Sequence, residues 1–246
     1  MGNMIDDTVT HFGLSARNEA EYIWNFSDRS SPEAEKARQL LAAWKDKREK
    51  QDRYLRDRGK RYRNAKISNF EISSDAQQQV VDKLVDYAAN ANRNIPEGKN
   101  VLLVGPKGTG KDHLLTGLAK EVFNEGGFVT QWKNGCVLVD GWRNQAVGNH
   151  VDWDFHISDN SEVLYISDLL PPAGSLSDYV QSKVFALVDR YYNNQKPIWL
   201  SLNVATPEEA ESRLGAQAVD RLRHDALIIA CNWQSYRTAK RPAASP

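Results

Sequence analysis

The stretch that most constrains this chain is Gly105-Pro106-Lys107-Gly108-Thr109-Gly110-Lys111, together with its flanks. Val101-Leu102-Leu103-Val104 precedes it as a continuous apolar run, and Leu114, Leu115, Leu118 and Val122 follow at the spacing of one helical face. A buried strand, a Gly-rich turn and an amphipathic helix in that order build a phosphate cradle. The glycines let consecutive N–H groups turn inward, and the helix N-terminus adds a partial positive charge at the same place. Gly105 to Lys111 therefore read as the binding loop for a nucleotide, with Lys111 directed at its β and γ phosphates.

The next position departs from the usual pattern. Ser or Thr commonly follows the lysine and offers a neutral hydroxyl to Mg²⁺; here it is Asp112. A carboxylate also ligates Mg²⁺ but adds negative charge beside a triphosphate, so nucleotide affinity is expected to depend strongly on Mg²⁺. The second metal-site acid is expected at the end of a later strand, and Val163-Leu164-Tyr165-Ile166-Ser167-Asp168 supplies it in Asp168. Leu169 and Leu170 then occupy the place where a carboxylate would orient the attacking water. Binding is thus better supported than turnover; Asp140, Asp154 and Glu162 are the nearest spare acids.

Around this loop the chain alternates short apolar runs with helical patterns. Helices fit Gln78–Ala91, Lys111–Asn124, Ser177–Tyr192 and Pro207–Leu214; strands fit Val101–Val104, Phe128–Trp132, Val163–Ser167, Ile198–Leu202 and Leu227–Cys231. Such alternation implies an α/β fold with a mostly parallel sheet covered on both faces. Residues 1–30 carry Phe12, Tyr22, Trp24 and Phe26 at uneven spacing. Ser31-Pro32-Glu33 opens a helix that runs, highly charged, to about Arg58, where Gly59 offers a stop. Asp46 with Lys50, Glu49 with Arg53 and Asp52 with Arg56 can support it without a core behind it.

Composition adds a charge asymmetry. The 32 Lys+Arg balance 32 Asp+Glu, which excludes a uniformly basic nucleic-acid coat. Residues 36–66 nevertheless hold 13 basic and 4 acidic residues, a local +9 that leaves −9 elsewhere. That stretch is either a solvated helix or an arm that binds nucleic acid or a partner. No apolar run approaches the roughly 18–20 residues that span a bilayer, and Met1 to Asp7 show no secretory signal. A cytoplasmic protein that does not enter membranes is expected. Cys136 and Cys231 stand apart and are expected to be buried thiols, and His11, His150, His156 and His224 have no metal-ligand spacing.

Gly108 to Leu114 resembles the phosphate loop of the DnaC/IstB group of AAA+ ATPases, including His113 after the metal-ligand position. Val188 to Tyr192 with Lys196-Pro197, Leu214-Gly215, Asp220-Arg221-Leu222-Arg223 and Asn232-Trp233-Gln234-Ser235-Tyr236-Arg237 resemble later segments of that group in order. Arg61 to Ala65 with Asn69-Phe70 is similar to the group's leading segment, which packs near adenine. The resemblance spans about residues 60–237, and the Asn-Trp-x-Ser-Tyr-Arg element is the most particular to the DnaC branch.

The resemblance implies a P-loop AAA+ three-layer sandwich without a separate lid domain. It would divide into a helical, basic partner-binding segment (1–60), an ATP-binding domain (61–237) and a tail (238–246). ATP and Mg²⁺ would be held by Gly105, Pro106, Lys107, Gly108, Thr109, Gly110, Lys111, Asp112 and His113, with Asp112 and Asp168 on the metal. Asn203 would read the γ-phosphate, Arg221 would be an arginine finger reaching a neighbour's nucleotide, and Arg237 would be a second sensor. Where the group commonly has Thr or Ser beside the sensor Asn, this chain has Leu202 and Val204.

The expected function is loading a DnaB-type replicative helicase onto single-stranded DNA by a self-associating subunit. The alternatives are an IstB-like transposition helper, or a nucleotide-binding adaptor that does not hydrolyse. Lys133 to His150, with Trp142 and Arg143, reads either as a DNA-contacting insertion or as a covering helix with Trp142 in the core.

Overall fold

A computed structural model describes residues 13–147, 157 and 161–239. Expectations placed on Phe12, His11, His150, Asp154, His156, the N-terminal seven residues and the tail from 240 lie outside them. Five parallel strands form one sheet: β1 (Val101–Val104), β2 (Thr130–Asn134), β3 (Val163–Ser167), β4 (Ile198–Leu202) and β5 (Leu227–Ala230), in the order β2-β3-β4-β1-β5.

Strands β1, β3, β4 and β5 read as largely apolar runs because helices cover both faces, whereas the edge strand β2 is mostly polar. Val101, Leu103, Val163, Tyr165 and Trp199 point into one core, shared with α3 (Asp75–Ala89), the short α4 (Ala91–Asn94) and α5 (Lys111–Gly126). Leu102, Leu164, Ile166 and Leu200 point into the other, against α6 (Gly135–Ala146), α7 (Asp178–Asn193), α8 (Pro207–Leu214) and α9 (Ala216–Arg223). The result is the three-layer α/β arrangement. After β5 the described chain holds only a short α10 (Tyr236–Ala239). No helix among the described residues is long and apolar enough to cross a membrane.

Several boundaries differ from expectation for local reasons. Helix α3 starts three residues earlier because Ser74 caps it, accepting from Gln77 N at 3.4 Å, and the run of glutamines hides its first turn from an apolar-period reading. Strand β2 starts two residues later because its register with β3 opens at Thr130 opposite Val163. Tyr22, Trp24 and Phe26 belong to a helix, α1 (Leu14–Phe26), in which Ala20 alone is buried while Tyr22 and Phe26 stand exposed.

The charged helix α2 (Pro32–Arg56) begins as read, with Ser31 Oγ accepting from Ala34 N at 3.1 Å and Pro32 in the first turn. It does not stand alone. It packs on α1 and along the edge strand β2, where Gln51 Oε1 accepts from Thr130 N at 2.7 Å. An open sheet edge is thereby covered. Of the anticipated ion pairs, Asp52 is engaged by Arg48 instead, at 3.4 Å. Lys47 reaches across to Glu162 (3.6 Å) and Gly127 O (3.3 Å).

Candidate nucleotide-binding site

Because all strands run in parallel, the carboxyl ends of β1, β2, β3 and β4 open on one side of the sheet, the usual place for a ligand in such folds. A cleft of about 540 Å³ lies there, floored by the loop after β1. In that loop Gly108 (φ +86°) and Gly110 (φ +87°) take left-handed conformations. Space forbids a side chain at either: an added Cβ at Gly108 would lie 2.0 Å from Ser235 Oγ, and at Gly110 2.7 Å from the Phe70 ring. Lys111 is buried, and its Nζ donates to Gly105 O (2.8 Å) and Pro106 O (2.7 Å). Burial pulls its ammonium below the usual lysine range, against the carboxylates of Asp112 and Asp168, which hold it charged.

Asp112 sits in a built network. Its Oδ1 accepts from Tyr165 OH (2.8 Å) and Ser201 Oγ (2.7 Å), and Arg58 Nη2 lies 3.7 Å away. Burial keeps the Tyr165 phenol protonated, so it remains a donor. Asp168 follows β3 with φ +52° and lines the same cleft. Burial, then the neighbouring Asp112 carboxylate, push its carboxyl above the usual range; Arg58, Arg237 and Lys111 act the other way.

Asn203, just past β4, also lines the cleft. Its carbonyl is held by Arg213 Nη1 (3.3 Å), and Arg213 further donates to Gly174 O (2.9 Å), Pro171 O and Glu209 Oε1 (3.1 Å). Arg213 thus fastens the loops after β3 and β4 to α8. Leu169 and Leu170 are buried in the core, Leu169 against Gly135. Of the spare acids, Glu162 accepts from Val129 N at the opposite end of β3, and Asp140 pairs with Arg143 on α6 at 3.4 Å. Neither lines the cleft; among the described residues Glu71 is the further carboxylate that does, beside Asp112 and Asp168, and the position after Asp168 itself is filled by buried Leu169.

The C-terminal signature closes over the loop. Trp233 Nε1 donates to Thr109 O (2.9 Å), Tyr236 N donates to Gly108 O (3.0 Å), and Gln77 Nε2 donates to Tyr236 OH (3.0 Å). Phe70 stands edge-on to Trp233 and Tyr236, with ring centroids 6.3 and 5.6 Å apart. His113 lines the cleft, and its Nε2 lies within hydrogen-bond reach of Lys66 O (2.9 Å) and Asn69 Oδ1 (3.0 Å), so that it also anchors the leading segment. Arg61, Tyr62 and Arg237 complete the rim.

Arg221 lies elsewhere. It pairs with Asp189 at 2.9 Å, stacks on Phe185 at 4.5 Å, and shares a hollow with Asn100, Ile198 and Asp225. Asn100 precedes β1 and Ile198 opens β4, so Arg221 is at the amino ends of the strands, opposite its own phosphate loop.

A family profile described as "IstB-like ATP binding protein" matches residues 38–244. The chain belongs to this IstB-like ATP-binding family. Among solved structures, the DnaC helicase loader superposes with a TM-score of 0.61 at 23% identity, covering 70% of this chain and 99% of that one. DnaI gives 0.57 at 19%, covering 70% and 93%. DnaA of Aquifex aeolicus, solved with AMPPCP, gives 0.53 at 16% over 68% of this chain, which spans half of that protein's length. No curated protein matches. These structures share the fold with this IstB-like chain: an α/β P-loop AAA+ sandwich.

The residues present suit the family's nucleotide. A buried lysine turned onto its own loop can exchange carbonyls for phosphate oxygens, and Mg²⁺ typically takes one or two carboxylates plus phosphates rather than an all-protein cage. Asp112 and Asp168 fit that donor set, and no cluster of three or more ligating side chains exists among the described residues. Bound Mg²⁺ would neutralise phosphate charge there. One expectation needs correction. Cys136 is exposed, not buried: it opens α6 at the cleft wall and donates to Asp168 O at 3.2 Å. Cys231 is buried, its thiol pushed up to about 12 by burial. Trp142 is fully buried in the second core, so the covering-helix reading of α6 holds. Arg58, Arg213, Trp233 and Tyr236 are site residues to which the motifs assign no role; the last two lie in the C-terminal signature and Arg58 in the basic stretch, while Arg213 lies in neither.

Proposed function

We propose that this IstB-like ATPase is a helicase loader that binds ATP with Mg²⁺, self-associates through Arg221 and delivers a DnaB-type replicative helicase to single-stranded DNA. The observation that carries this reading is the packing of Asn232 to Arg237 on the phosphate loop. That element most resembles the DnaC branch, and its seat on the loop supports a nucleotide-reading role. The loader fold of the DnaC structure supports the same reading. Asn203 and Arg237 would sense the γ-phosphate, and Arg221, at the far end of the sheet, would serve a neighbouring copy. The exposed Tyr22 and Phe26 of α1 would offer the helicase a surface.

The family match supports a second reading, in which the same switch directs a transposase. Pull-down of tagged protein with the host replicative helicase and with a co-encoded transposase, each with ATP and with ADP, separates them. Capture of helicase supports loading; capture of transposase alone replaces that reading; capture of neither in both nucleotide states defeats both.

A further inference from the structure

Arg58 lies two residues beyond α2, outside every motif, yet its side chain is only 3% exposed. Nη1 donates to Ser167 Oγ at 3.0 Å, and three rings box the guanidinium: Tyr62 at 4.0 Å, Trp132 at 4.8 Å and Tyr165 at 5.1 Å. Trp132 Nε1 donates to the same Ser167 hydroxyl, fixing the acceptor. Nε and Nη2 have no hydrogen-bond partner. Arginine keeps its charge in a folded protein, and burying it with unpaired donors is costly. Ring contacts offset part of that cost. Packing alone does not account for a cation in this place.

The charge next to it does. Asp112 stands where a neutral hydroxyl commonly follows the loop lysine, and Tyr165 and Ser201 fix its Oδ1 on the side where Arg58 Nη2 lies, 3.7 Å away. We infer that Arg58 is a built-in counter-cation of the phosphate site: it offsets the Asp112 carboxylate and so sets how far nucleotide binding depends on a metal. Arg58 is a positioning residue that acts on the ligand through Asp112. The strong Mg²⁺ dependence expected from Asp112 alone then belongs to a protein lacking Arg58. The inference rests on the cleft being a nucleotide site, and it is independent of any helicase.

The test is equilibrium binding of a fluorescent ATP analogue, in EDTA and in Mg²⁺, to wild type, R58Q, D112S and R58Q/D112S, with thermal melting of each without nucleotide. A unit charge removed from beside the phosphate site, at the effective dielectric of a partly buried setting, is worth about tenfold in affinity. R58Q is expected to lose about tenfold or more in EDTA, to lose less in Mg²⁺, and to recover when D112S is added. Binding of R58Q within about twofold of wild type in EDTA, or no recovery in the double variant, overturns the inference. Where R58Q does not fold, D112S alone can still overturn the inference, because it leaves the cation unopposed. It is expected to bind more tightly than wild type in EDTA, and unchanged or weaker binding overturns the proposal. Wild type that binds no nucleotide in either buffer defeats the nucleotide reading itself, an outcome distinct from R58Q behaving as wild type.

Discussion

Lys111 is held by the carbonyls of Gly105 and Pro106, and its burial makes the ammonium costly to keep without anions nearby. Lys111→Ala removes charge-assisted bonds worth about 1.5–3 kcal/mol each, so nucleotide affinity should fall by about 10- to 100-fold in titration calorimetry, with little loss of melting temperature. Asp168 behaves oppositely towards stability. Its carboxyl is raised above the usual range by burial and by Asp112, so the folded chain holds that proton more tightly than the unfolded one. The stabilisation from that proton is fully present below the ordinary carboxylate range and is lost as pH rises through the raised value. In EDTA, Asp168→Asn should therefore melt above wild type at neutral pH, and the gap should close on acidification into the ordinary carboxylate range. A melting difference independent of pH would refute this account. The loop and Asp168 are legible in the sequence because glycine, lysine and acid stand at fixed offsets from a strand. Arg58 and Arg213 are not, because their partners Ser167 and Pro171 lie far along the chain.

The elements were legible where an apolar period marks a buried face, as in α3, α5, α7 and the five strands. Helix α1 was not, since only Ala20 is buried and its apolar residues, among them half-buried Ile23 and Trp24 and exposed Tyr22 and Phe26, mark no single face. Helix α2 was legible as a helix but not as a partner of the sheet. Its contact with β2 runs through a glutamine, Gln51, which no hydrophobic pattern registers. Helix α6 tests the reverse case, an aromatic beside Arg143 that could equally face DNA or core. Trp142 is fully buried among Leu138, Ile166 and their neighbours. Trp142→Ala should cost about 3–5 kcal/mol in chemical denaturation, the range for removing a buried large aromatic. Trp142→Phe should restore much of that, and single-stranded DNA affinity of folded Trp142→Phe should match wild type. A selective loss of DNA binding in that variant would return α6 to the role of a contact helix.

At the scale of the molecule, the sheet separates two chemistries by its own length. The cleft at the carboxyl ends holds Lys111, Asp112, Asp168 and Asn203, while Arg221 stands at the amino ends, paired with Asp189 and half exposed. The net zero charge hides a similar division, because part of the basic stretch is already spent inside the protein. Arg58 is buried against Asp112, and Lys47 is committed to Glu162. With Leu169 in the core, an isolated subunit has no water-orienting carboxylate beside Asp168, so its turnover should be slow, on the order of 10⁻³ s⁻¹ or below. A guanidinium donated by a neighbour would raise it by about 10³-fold or more. Arg221→Ala should therefore leave ATP affinity of the dilute subunit unchanged, because Arg221 cannot reach its own loop. It should abolish any rise of specific ATPase activity with protein concentration, and weaken ATP-dependent self-association in sedimentation velocity. Asp189→Asn separates the finger from a merely structural ion pair. It removes the internal partner but keeps the guanidinium, so self-association should persist. If Asp189→Asn and Arg221→Ala lose self-association equally, the pair only braces α9 against α7. If Arg221→Ala instead weakens nucleotide binding at subunit concentrations too low to associate, Arg221 acts within its own chain and the neighbour-serving role fails.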